Sequence, residues 1–503
     1  MQTTCPLFIL IASLTLTACG GGGGGGDGVA LADLVADPLD QQLSALIAEH
    51  DQSGNPEAGR NLPDIKDPLA QLGMRLFFSK SLGGGFDSAC ASCHHPLLGG
   101  ADGLSLPVGT GAVDPDTLGL NRHHSSGLPN VPRHSPTVFN AGLWDSGLFA
   151  DSRVESLGKE PGANGAASGI RTPDSALLVA DPDAGETLPQ AQARFPVLED
   201  TEMKTAAFES GSDAATVREH LAARLGDYGP GSGEISDNQW LAAFRTGFAS
   251  GADAETLITF DNIAAAIAAY ERSMVFTDTP WRDYMNGDTN AINDSAKRGA
   301  ALFFSRQEDG GANCVACHSG DLFSDGEHHV VAFPQFGPGK GDGATGDDDF
   351  GRARETGDTR DRYRFRTPSL LNVALTPPYG HTGAYRNLQE VVAHYANPGA
   401  SVDDFFRRGG WCALPQFQGV ANCNSLYPNS DDHSRAALDQ LATEQAAGRA
   451  VFQPTRLSQT DIDDLVSFLE TLTDRCAEQP TCLADWIPDA DGAADAHQLN
   501  ASF

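Results

Sequence analysis

Apolar residues recur along the chain at the three- and four-residue spacing of an amphipathic α-helix. The pattern is clear over residues 387–395 and 460–472, and an alanine- and isoleucine-rich run predicts another helix over 261–276. No segment of useful length alternates polar and apolar residues with the two-residue period of a strand. Segments 158–189 and 334–349 are rich in Gly, Pro and Asp and are predicted to be extended loops. The pattern therefore predicts a mostly α fold with long loops.

Two short strings occur twice, which indicates an internal repeat. Residues 72–79 (LGMRLFFS) resemble residues 298–305 (RGAALFFS), and each string is predicted to be the end of a helix. Further along, 133–140 (RHSPTVFN) resembles 366–372 (RTPSLLN), with a proline four residues before an asparagine in both. The repeat predicts two similar domains with the same order of landmarks.

Between the two landmarks of each repeat lies a Cys-x-x-Cys-His motif. The two thiols of this motif form thioether bonds with porphyrin vinyl groups, and the adjacent histidine binds the iron. We therefore predict two covalent c-type haems in two cytochrome-c-like domains. The alternative is one zinc ion bound by the four thiolates, but it leaves the histidine of each motif unexplained. The predicted haem-binding residues are Cys90, Cys93 and His94 in the first motif and Cys314, Cys317 and His318 in the second.

The repeat divides the chain into a leader, 1–30, a first haem domain, 31–285, and a second haem domain, 286–490. The leader carries a short apolar run that ends in Leu-Thr-Ala-Cys19, followed by glycines. This arrangement resembles a bacterial lipobox, in which cleavage leaves Cys19 as a lipidated N-terminus on a flexible tether. No Lys or Arg precedes the apolar run, so plain secretion is the alternative. Membrane association is expected through a lipid anchor only.

The cysteines without a haem motif predict an oxidising compartment. Cys412 and Cys423, and Cys476 and Cys482, are closely spaced pairs that are predicted to form disulfides in the periplasm or at the cell surface. The net charge is −34, from 67 acidic and 33 basic residues. Nucleic acid is therefore not expected as a partner, because its phosphates would be repelled.

With these motifs the chain resembles the bacterial dihaem cytochrome c peroxidases and their relative MauG, the dihaem enzyme of methylamine utilisation. The resemblance covers about residues 65–475 and rests on the haem motifs, 133–137, 143–145 (LWD) and 366–383 (RTPSLLNVALTPPYGHTG). It implies a first, peroxidatic haem that activates hydrogen peroxide, a second, electron-transfer haem that stores or relays oxidising equivalents, and a tryptophan between them. Trp144 matches that tryptophan, although from the residues alone it could be a core aromatic.

Peroxide chemistry needs an open distal face at the first haem and a base that moves a proton between the two peroxide oxygens. The family has a glutamine, a proline and a glutamate in that pocket. Gln192, Pro196 and Glu202 have the same four- and six-residue spacing, which makes Glu202 the predicted acid/base. From the residues alone, Glu202 could also be a solvated surface acid. His123 and His124 are near the position of a loop histidine that blocks the first haem in many relatives, but neither is in register.

The second haem site departs from the peroxidases. Those enzymes place a methionine fourteen residues after the histidine of a Pro-Tyr-x-His segment, and here that position holds Tyr395, as in MauG. A phenolate favours ferric and higher-valent iron, whereas a thioether favours ferrous iron. Tyr395 is therefore the predicted second axial ligand; the alternatives are His394 or a core position for the tyrosine.

The family also holds calcium between the domains, through one asparagine side chain and two backbone carbonyls. Thr376 and Pro378 match the carbonyl positions, but His134 replaces the asparagine. Imidazole is a poor calcium ligand, so the sequence leaves calcium open.

Taken with the resemblance, these residues predict a dihaem, peroxide-dependent oxidoreductase that oxidises a secreted protein substrate, as MauG does. One alternative is a peroxidase that detoxifies hydrogen peroxide with a small cytochrome or copper protein as donor. The other is a non-catalytic dihaem electron-transfer cytochrome, in which both irons would be six-coordinate.

Overall fold

The structure is a computed structural model, and it describes residues 37–50, 52–489 and 492–503. It is mostly helical with little strand, as predicted, and the helices predicted over 261–276, 387–395 and 460–472 are present. The α-helices are α1 Pro38–Glu49, α2 Pro68–Phe77, α3 Leu188–Gln192, α4 Ala214–Gly226, α5 Trp240–Gly247, α6 Ala254–Leu257, α7 Phe260–Ser273, α8 Pro280–Met285, α9 Asp294–Phe304, α10 Ala353–Thr356, α11 Leu388–Ala396, α12 Pro398–Arg407, α13 Ser430–Ala446, α14 Gln459–Glu470 and α15 Pro480–Leu483.

Two small antiparallel sheets were not predicted, because their strands are only two or three residues long. The first has the order β1-β2-β3 and lies beside Trp144, and the second pairs β4 with β5. In the second sheet His329 lies opposite Phe365. The strands are β1 Gly147–Leu148, β2 Val154–Ser156, β3 Ile170–Arg171, β4 His328–Val330 and β5 Arg364–Arg366.

The internal repeat appears as two equivalent helix pairs, α2 with α7 and α9 with α14. Each pair crosses at a glycine of the repeated string: a Cβ on Gly73 would overlap the Ala266 carbonyl oxygen, and one on Gly299 would overlap the Asp464 carbonyl oxygen. Only glycine allows the two backbones to approach this closely. The α2 helix ends at Phe77 and α9 ends at Phe304, both within the repeated strings, as predicted.

Each helix pair lies at the centre of a separate hydrophobic core. The first core surrounds α2 and α7 and includes Leu76 and Phe77, both almost completely buried. The second surrounds α9 and α14 and contains an aromatic cluster that includes Phe304 and Phe468. Burial of side chains of this size contributes roughly 2 kcal/mol each to stability. Two cores with equivalent helix pairs agree with the internal repeat, while the division into two cytochrome-c-like domains stays a prediction.

The asparagines of the second repeated string meet where the two halves join. Asn140 and Asn372 have the same left-handed backbone, with φ 62° in both. The side-chain amide of each donates a hydrogen bond to the Phe276 carbonyl oxygen, at 3.1 and 2.9 Å. The repeat therefore places equivalent residues of both halves on one shared acceptor.

The two ends of the described chain each pack on the opposite half. From α1, Leu43 is buried in the second core, and Asp40 pairs with Lys297 of α9 at 2.7 Å. At the other end, Leu499 is buried in the first core, and Asp495 accepts a hydrogen bond from the Trp240 indole at 2.6 Å. The division near residue 285 stays a prediction, and these segments tie the two halves together.

Both predicted disulfides are present. The Cys412–Cys423 bond joins a segment whose aromatic residues form a small core around Trp411. In this segment the Gln416 side chain exchanges two hydrogen bonds with the backbone of Leu106, in the first half. The Cys476–Cys482 bond lies in the segment that packs on the first core.

The predicted signal run and lipobox, including Cys19, lie outside the described residues. Among the helices of the described ranges, none is long and apolar enough to cross a membrane.

Candidate functional site

The first Cys-x-x-Cys-His motif begins as a 3₁₀ turn, Cys90–Ser92. Both thiols are unpaired, and burial, reinforced by the charge of Glu271, raises the pKa of the Cys90 thiol to about 12. The His94 ring uses Nδ1 to donate to the Gly100 carbonyl oxygen at 3.3 Å, and burial lowers its pKa to about 4. His94 is therefore neutral, with Nε2 free to bind a metal.

The second motif has the same arrangement. Its turn, Cys314–Ala316, follows a left-handed residue, Asn313. The buried His318 donates from Nδ1 to the Phe323 carbonyl oxygen at 2.9 Å, and burial lowers its pKa. Burial raises the pKa of the Cys314 thiol to about 12.

The donor sets of both motifs fit a covalent haem. Among the described cysteines, the four of the motifs are free and the other four are in disulfides. Each motif thus offers two thiols for thioether bonds and one imidazole whose orientation is fixed through Nδ1. Within the described residues, the only group of His, Cys, Asp or Glu close enough to share an ion is Cys317, Asp325 and His329. The four thiols therefore do not converge, and a single zinc site is not supported.

The segment predicted to line the distal pocket lies beside the first motif. Gln192 ends α3, and Pro196 begins the turn that leads to Glu202. The Glu202 carbonyl oxygen accepts a hydrogen bond from the Ser88 hydroxyl at 2.9 Å, two residues before the first haem cysteine. The Cys93 thiol contacts the Val108 carbonyl oxygen, and the next residue, Gly109, packs against the Glu202 backbone. A Cβ on Gly109 would lie 2.8 Å from the Cα of Glu202, so only glycine leaves room for that backbone.

Glu202 differs from its acidic neighbours. It is half-buried, whereas Glu199 and Asp200 are exposed. Burial raises the pKa of the Glu202 carboxyl, and the positive charge of Arg153 acts in the opposite direction. No hydrogen bond reaches this carboxylate from the described part of the chain. A half-buried, unpaired carboxylate with a raised pKa is suited to proton transfer, and the role itself stays a prediction.

Three cations, Arg133, Arg153 and Lys340, act on the Glu202 carboxylate, and sequence analysis missed the last two. Arg153 lies over the Phe149 ring at 3.5 Å, and Lys340 lies on the 334–349 loop, for which no chemistry was predicted. Both lower the pKa of Glu202. They are far from it in sequence and belong to no motif, so no local signal could have identified them.

Trp144 is 8% exposed and packs in a small core with Leu188 and Phe195. Its carbonyl oxygen accepts a hydrogen bond from the Asn164 amide at 2.7 Å. The guanidinium of Arg366, from the second half, lies over its ring. Trp144 is thus both a core aromatic and a residue at the contact between the halves.

Tyr395 lies near the second motif. Burial raises the pKa of its hydroxyl, and the charges of the Cys317 and Cys314 thiols add to this effect. That hydroxyl has no hydrogen-bond partner in the described ranges. The neighbouring His394 is fully buried, accepts from the Tyr385 hydroxyl at Nδ1 (2.8 Å) and donates from Nε2 to Val331 (2.7 Å). Both nitrogens of His394 are therefore occupied, which favours Tyr395 as the ligand.

The remaining predicted positions lie in the loops around the first motif. His134 donates from Nδ1 to the Leu104 carbonyl oxygen at 2.8 Å. Thr376 precedes Pro377, which is joined to Pro378 by a cis peptide bond. Calcium at these positions stays a prediction. His123 is exposed, and His124 bonds to Ser126 at 2.7 Å, as ordinary loop residues do.

Comparison with known proteins agrees with this geometry. The profile of the di-haem cytochrome c peroxidase family matches residues 67–290. The methylamine utilization protein MauG of Methylorubrum extorquens is 30% identical over 370 residues, covering 73% of this chain and 79% of that protein. Cytochrome c551 peroxidase of Pseudomonas aeruginosa is 29% identical over 364 residues, covering 72% and 80%.

Solved structures show the same fold. The diheme peroxidase BthA from Burkholderia thailandensis has a TM-score of 0.51 at 22% identity, covering 88% of this chain and 92% of that one. A MauG-like protein associated with microbial copper homeostasis has a TM-score of 0.51 at 21% identity, covering 84% and 96%. The family carries two c-type haems. The chain is an oxidoreductase that belongs to the dihaem cytochrome c peroxidase and MauG family.

Proposed function

We propose that this protein uses hydrogen peroxide to oxidise a separate protein substrate, as a MauG-like enzyme. The observation that carries the proposal is Tyr395, which lies beside the second haem motif with an unpaired hydroxyl. The two halves, 31–285 and 286–490, are in this view a peroxidatic and an electron-transfer cytochrome-c-like domain.

When bound, the two haems supply the redox chemistry that accepts the oxidising equivalents of peroxide. Cys90, Cys93, Cys314 and Cys317 would hold them, and His94 and His318 would be the proximal ligands. Neutral imidazoles with a fixed Nδ1 hydrogen bond support this role.

Glu202 is the proposed acid/base in the distal pocket, with Gln192 and Pro196 as its other lining residues. It would accept a proton from one oxygen of hydrogen peroxide and donate it to the other, which is the proton movement that cleavage of the O–O bond needs. The raised pKa of Glu202 brings the carboxyl closer to neutral pH, where one group can both accept and donate a proton.

Trp144 is the proposed relay between the haems. Its burial keeps water from the indole, and Arg366 reaches it from the second half. Tyr395 is the proposed second ligand of the haem held by Cys314 and Cys317. A phenolate ligand would stabilise oxidised iron, which would allow electrons to be drawn from a protein substrate at a distance.

Replacing Tyr395 by methionine or histidine in the holoenzyme tests this function. We expect the first haem to keep its reaction with peroxide, the midpoint potential of the second haem to rise by on the order of 100 mV with methionine, and the peroxide-oxidised state to lose its long lifetime. Tyr385→Phe is the matched control, because this tyrosine bonds to His394 in the same region. An unchanged optical spectrum of the second haem in the Tyr395 variants would show that Tyr395 is a core residue.

A cytochrome c peroxidase is the second candidate, because the similarity to cytochrome c551 peroxidase is almost as high as that to MauG. Rapid turnover of a reduced cytochrome c or copper protein by the parent enzyme would favour it. Under either function we propose an extracytoplasmic location, which the two disulfides support. The lipid anchor at Cys19 is part of that proposal, and mass spectrometry of the mature N-terminus tests it.

A further inference from the structure

Arg366 holds a cation directly over the ring of Trp144. Its guanidinium carbon lies 4.0 Å from the ring centroid. The backbone N–H of Arg366 donates to the Ala150 carbonyl oxygen at 2.8 Å, and its Nε donates to that of Phe149 at 3.1 Å. These two bonds to the segment beside Trp144 fix the guanidinium in place.

The charge of Arg366 is not neutralised by an ion pair. In the described part of the chain, no carboxylate lies within 4.0 Å of it. Asp151, whose charge acts on Arg366, already pairs with Arg133 at 2.5 Å and with Arg153 at 3.4 Å. Burial lowers the pKa of Arg366 to about 10, so the side chain remains a cation at neutral pH.

Two further cations of this region, Arg352 and Lys159, are each paired with Glu155, whereas Arg366 has no such partner in the described residues. His328 lies opposite Arg366 in the second sheet. Burial and the charges of Arg352, Arg366 and Lys159 lower the pKa of His328 to about 3. His328 is therefore neutral at neutral pH, and Asp151, the carboxylate whose charge acts on Arg366, is shared with Arg133 and Arg153.

A cation over a neutral indole attracts the electron-rich face of the ring. When the indole loses an electron it becomes positive, and the attraction turns into repulsion between two charges about 4 Å apart in a poorly solvated place. The cation therefore makes oxidation of this tryptophan more difficult than oxidation of a tryptophan without one.

We propose that Arg366 is a positioning residue whose charge lets Trp144 pass electrons between the haems without remaining oxidised. In each transfer the indole loses one electron toward the first haem and regains one from the second, so it ends unchanged. This inference rests on the proposed function, because it assumes that peroxide oxidises the site through Trp144.

The damage that Arg366 prevents has a defined product. If the indole is not reduced again, it is hydroxylated: a ring C–H and hydrogen peroxide give a ring C–OH and water. The O–O and ring C–H bonds break, a C–O bond forms, the ring proton ends in the water, and the ring supplies both electrons. Each event adds one oxygen atom to the peptide that contains Trp144.

The test uses the holoenzyme and its Arg366→Gln, Arg366→Met and Arg366→Lys variants, treated with hydrogen peroxide without a protein substrate. Peptide mass spectrometry then measures the fraction of Trp144 that has gained oxygen. We expect the two neutral variants to increase that fraction about tenfold or more and the lysine variant to stay close to the parent. Trp240 and Trp281, in the two cores, serve as internal references.

Arg352→Gln is the matched control, since Arg352 is a neighbouring arginine that pairs with Glu155 and does not lie over Trp144. The use of both glutamine and methionine guards against one variant that fails to fold. The inference is overturned if the neutral variants match the parent, or if the lysine variant is oxidised as much as they are.

Failure of the inference and failure of the proposed function give different results. If the parent reacts with peroxide and Trp144→Phe slows electron transfer between the haems, but all three Arg366 variants behave like the parent, only the inference fails. If the parent haems do not react with peroxide, the proposed function fails and the inference fails with it.

Discussion

Glutamine in place of Glu202 removes one proton-accepting group and keeps the shape of the side chain. Within the described residues this carboxylate has no hydrogen bond to lose. The segment is held by its backbone: Ser88 bonds to the Glu202 carbonyl oxygen and Thr110 to that of Thr201. Both haems should therefore remain attached. What is lost is acid/base catalysis, which contributes 10²–10⁴-fold, so we expect peroxide consumption to slow by about two orders of magnitude.

The raised pKa of Glu202 adds two predictions about pH. Activity of the parent should fall as the pH drops through the raised pKa, because a protonated carboxyl cannot accept a proton, and the glutamine variant should lack that limb. Stability should change in the opposite direction. As the pH rises above about 4, Glu202 ionises in the unfolded chain before it ionises in the folded chain. The free energy of unfolding of the parent therefore falls relative to that of the variant until the pH passes the raised pKa.

Stopped-flow measurement of peroxide consumption and thermal unfolding, both from pH 4 to 8, check these expectations. Glu219→Gln is the matched control, because Glu219 is exposed on α4 and is not one of the charges that shift the pKa of Glu202, so both measurements should stay unchanged. A rate for Glu202→Gln within about threefold of the parent would refute the reasoning and make Glu202 an ordinary acid.

Two further predictions concern the first haem and the helix crossing. Ferric holoenzyme should show one high-spin and one low-spin haem by electron paramagnetic resonance, and peroxide should perturb the high-spin signal; two low-spin haems inert to peroxide would favour an electron-transfer cytochrome. Gly299→Ala should lower the free energy of unfolding by about 1–3 kcal/mol, because its Cβ overlaps the Asp464 carbonyl oxygen. Gly251→Ala, which meets no atom within 4 Å, should be neutral in thermal unfolding.

The features that the sequence determined by itself are local. Each haem motif spans five residues, and the disulfide partners are eleven and six residues apart, so their chemistry depends on spacing along the chain. The helices followed from the three- and four-residue spacing of apolar side chains, which places one face of each against a core. The repeat was also visible in the sequence, because both helix crossings need a glycine at the same position, Gly73 in one string and Gly299 in the other.

The candidate site depends on contacts between distant segments. Glu202 was identified by spacing and resemblance. Its backbone contact with Ser88 and the charges of Arg153 and Lys340 that lower its pKa come from residues far away in sequence. His394 and Tyr395 are adjacent, and only the folded chain shows that Tyr385 and Val331 occupy both nitrogens of the histidine.

Tertiary structure alone decided how the two halves meet and what lies over Trp144. Asn140 and Asn372 converge on the Phe276 carbonyl oxygen, and Arg366 crosses from the second half to the indole. A periodic pattern records which face of a helix is buried, but it carries no information about the partner on that face. That partner is selected when loops of many residues close, and the charge and burial of each group in the site are fixed only then.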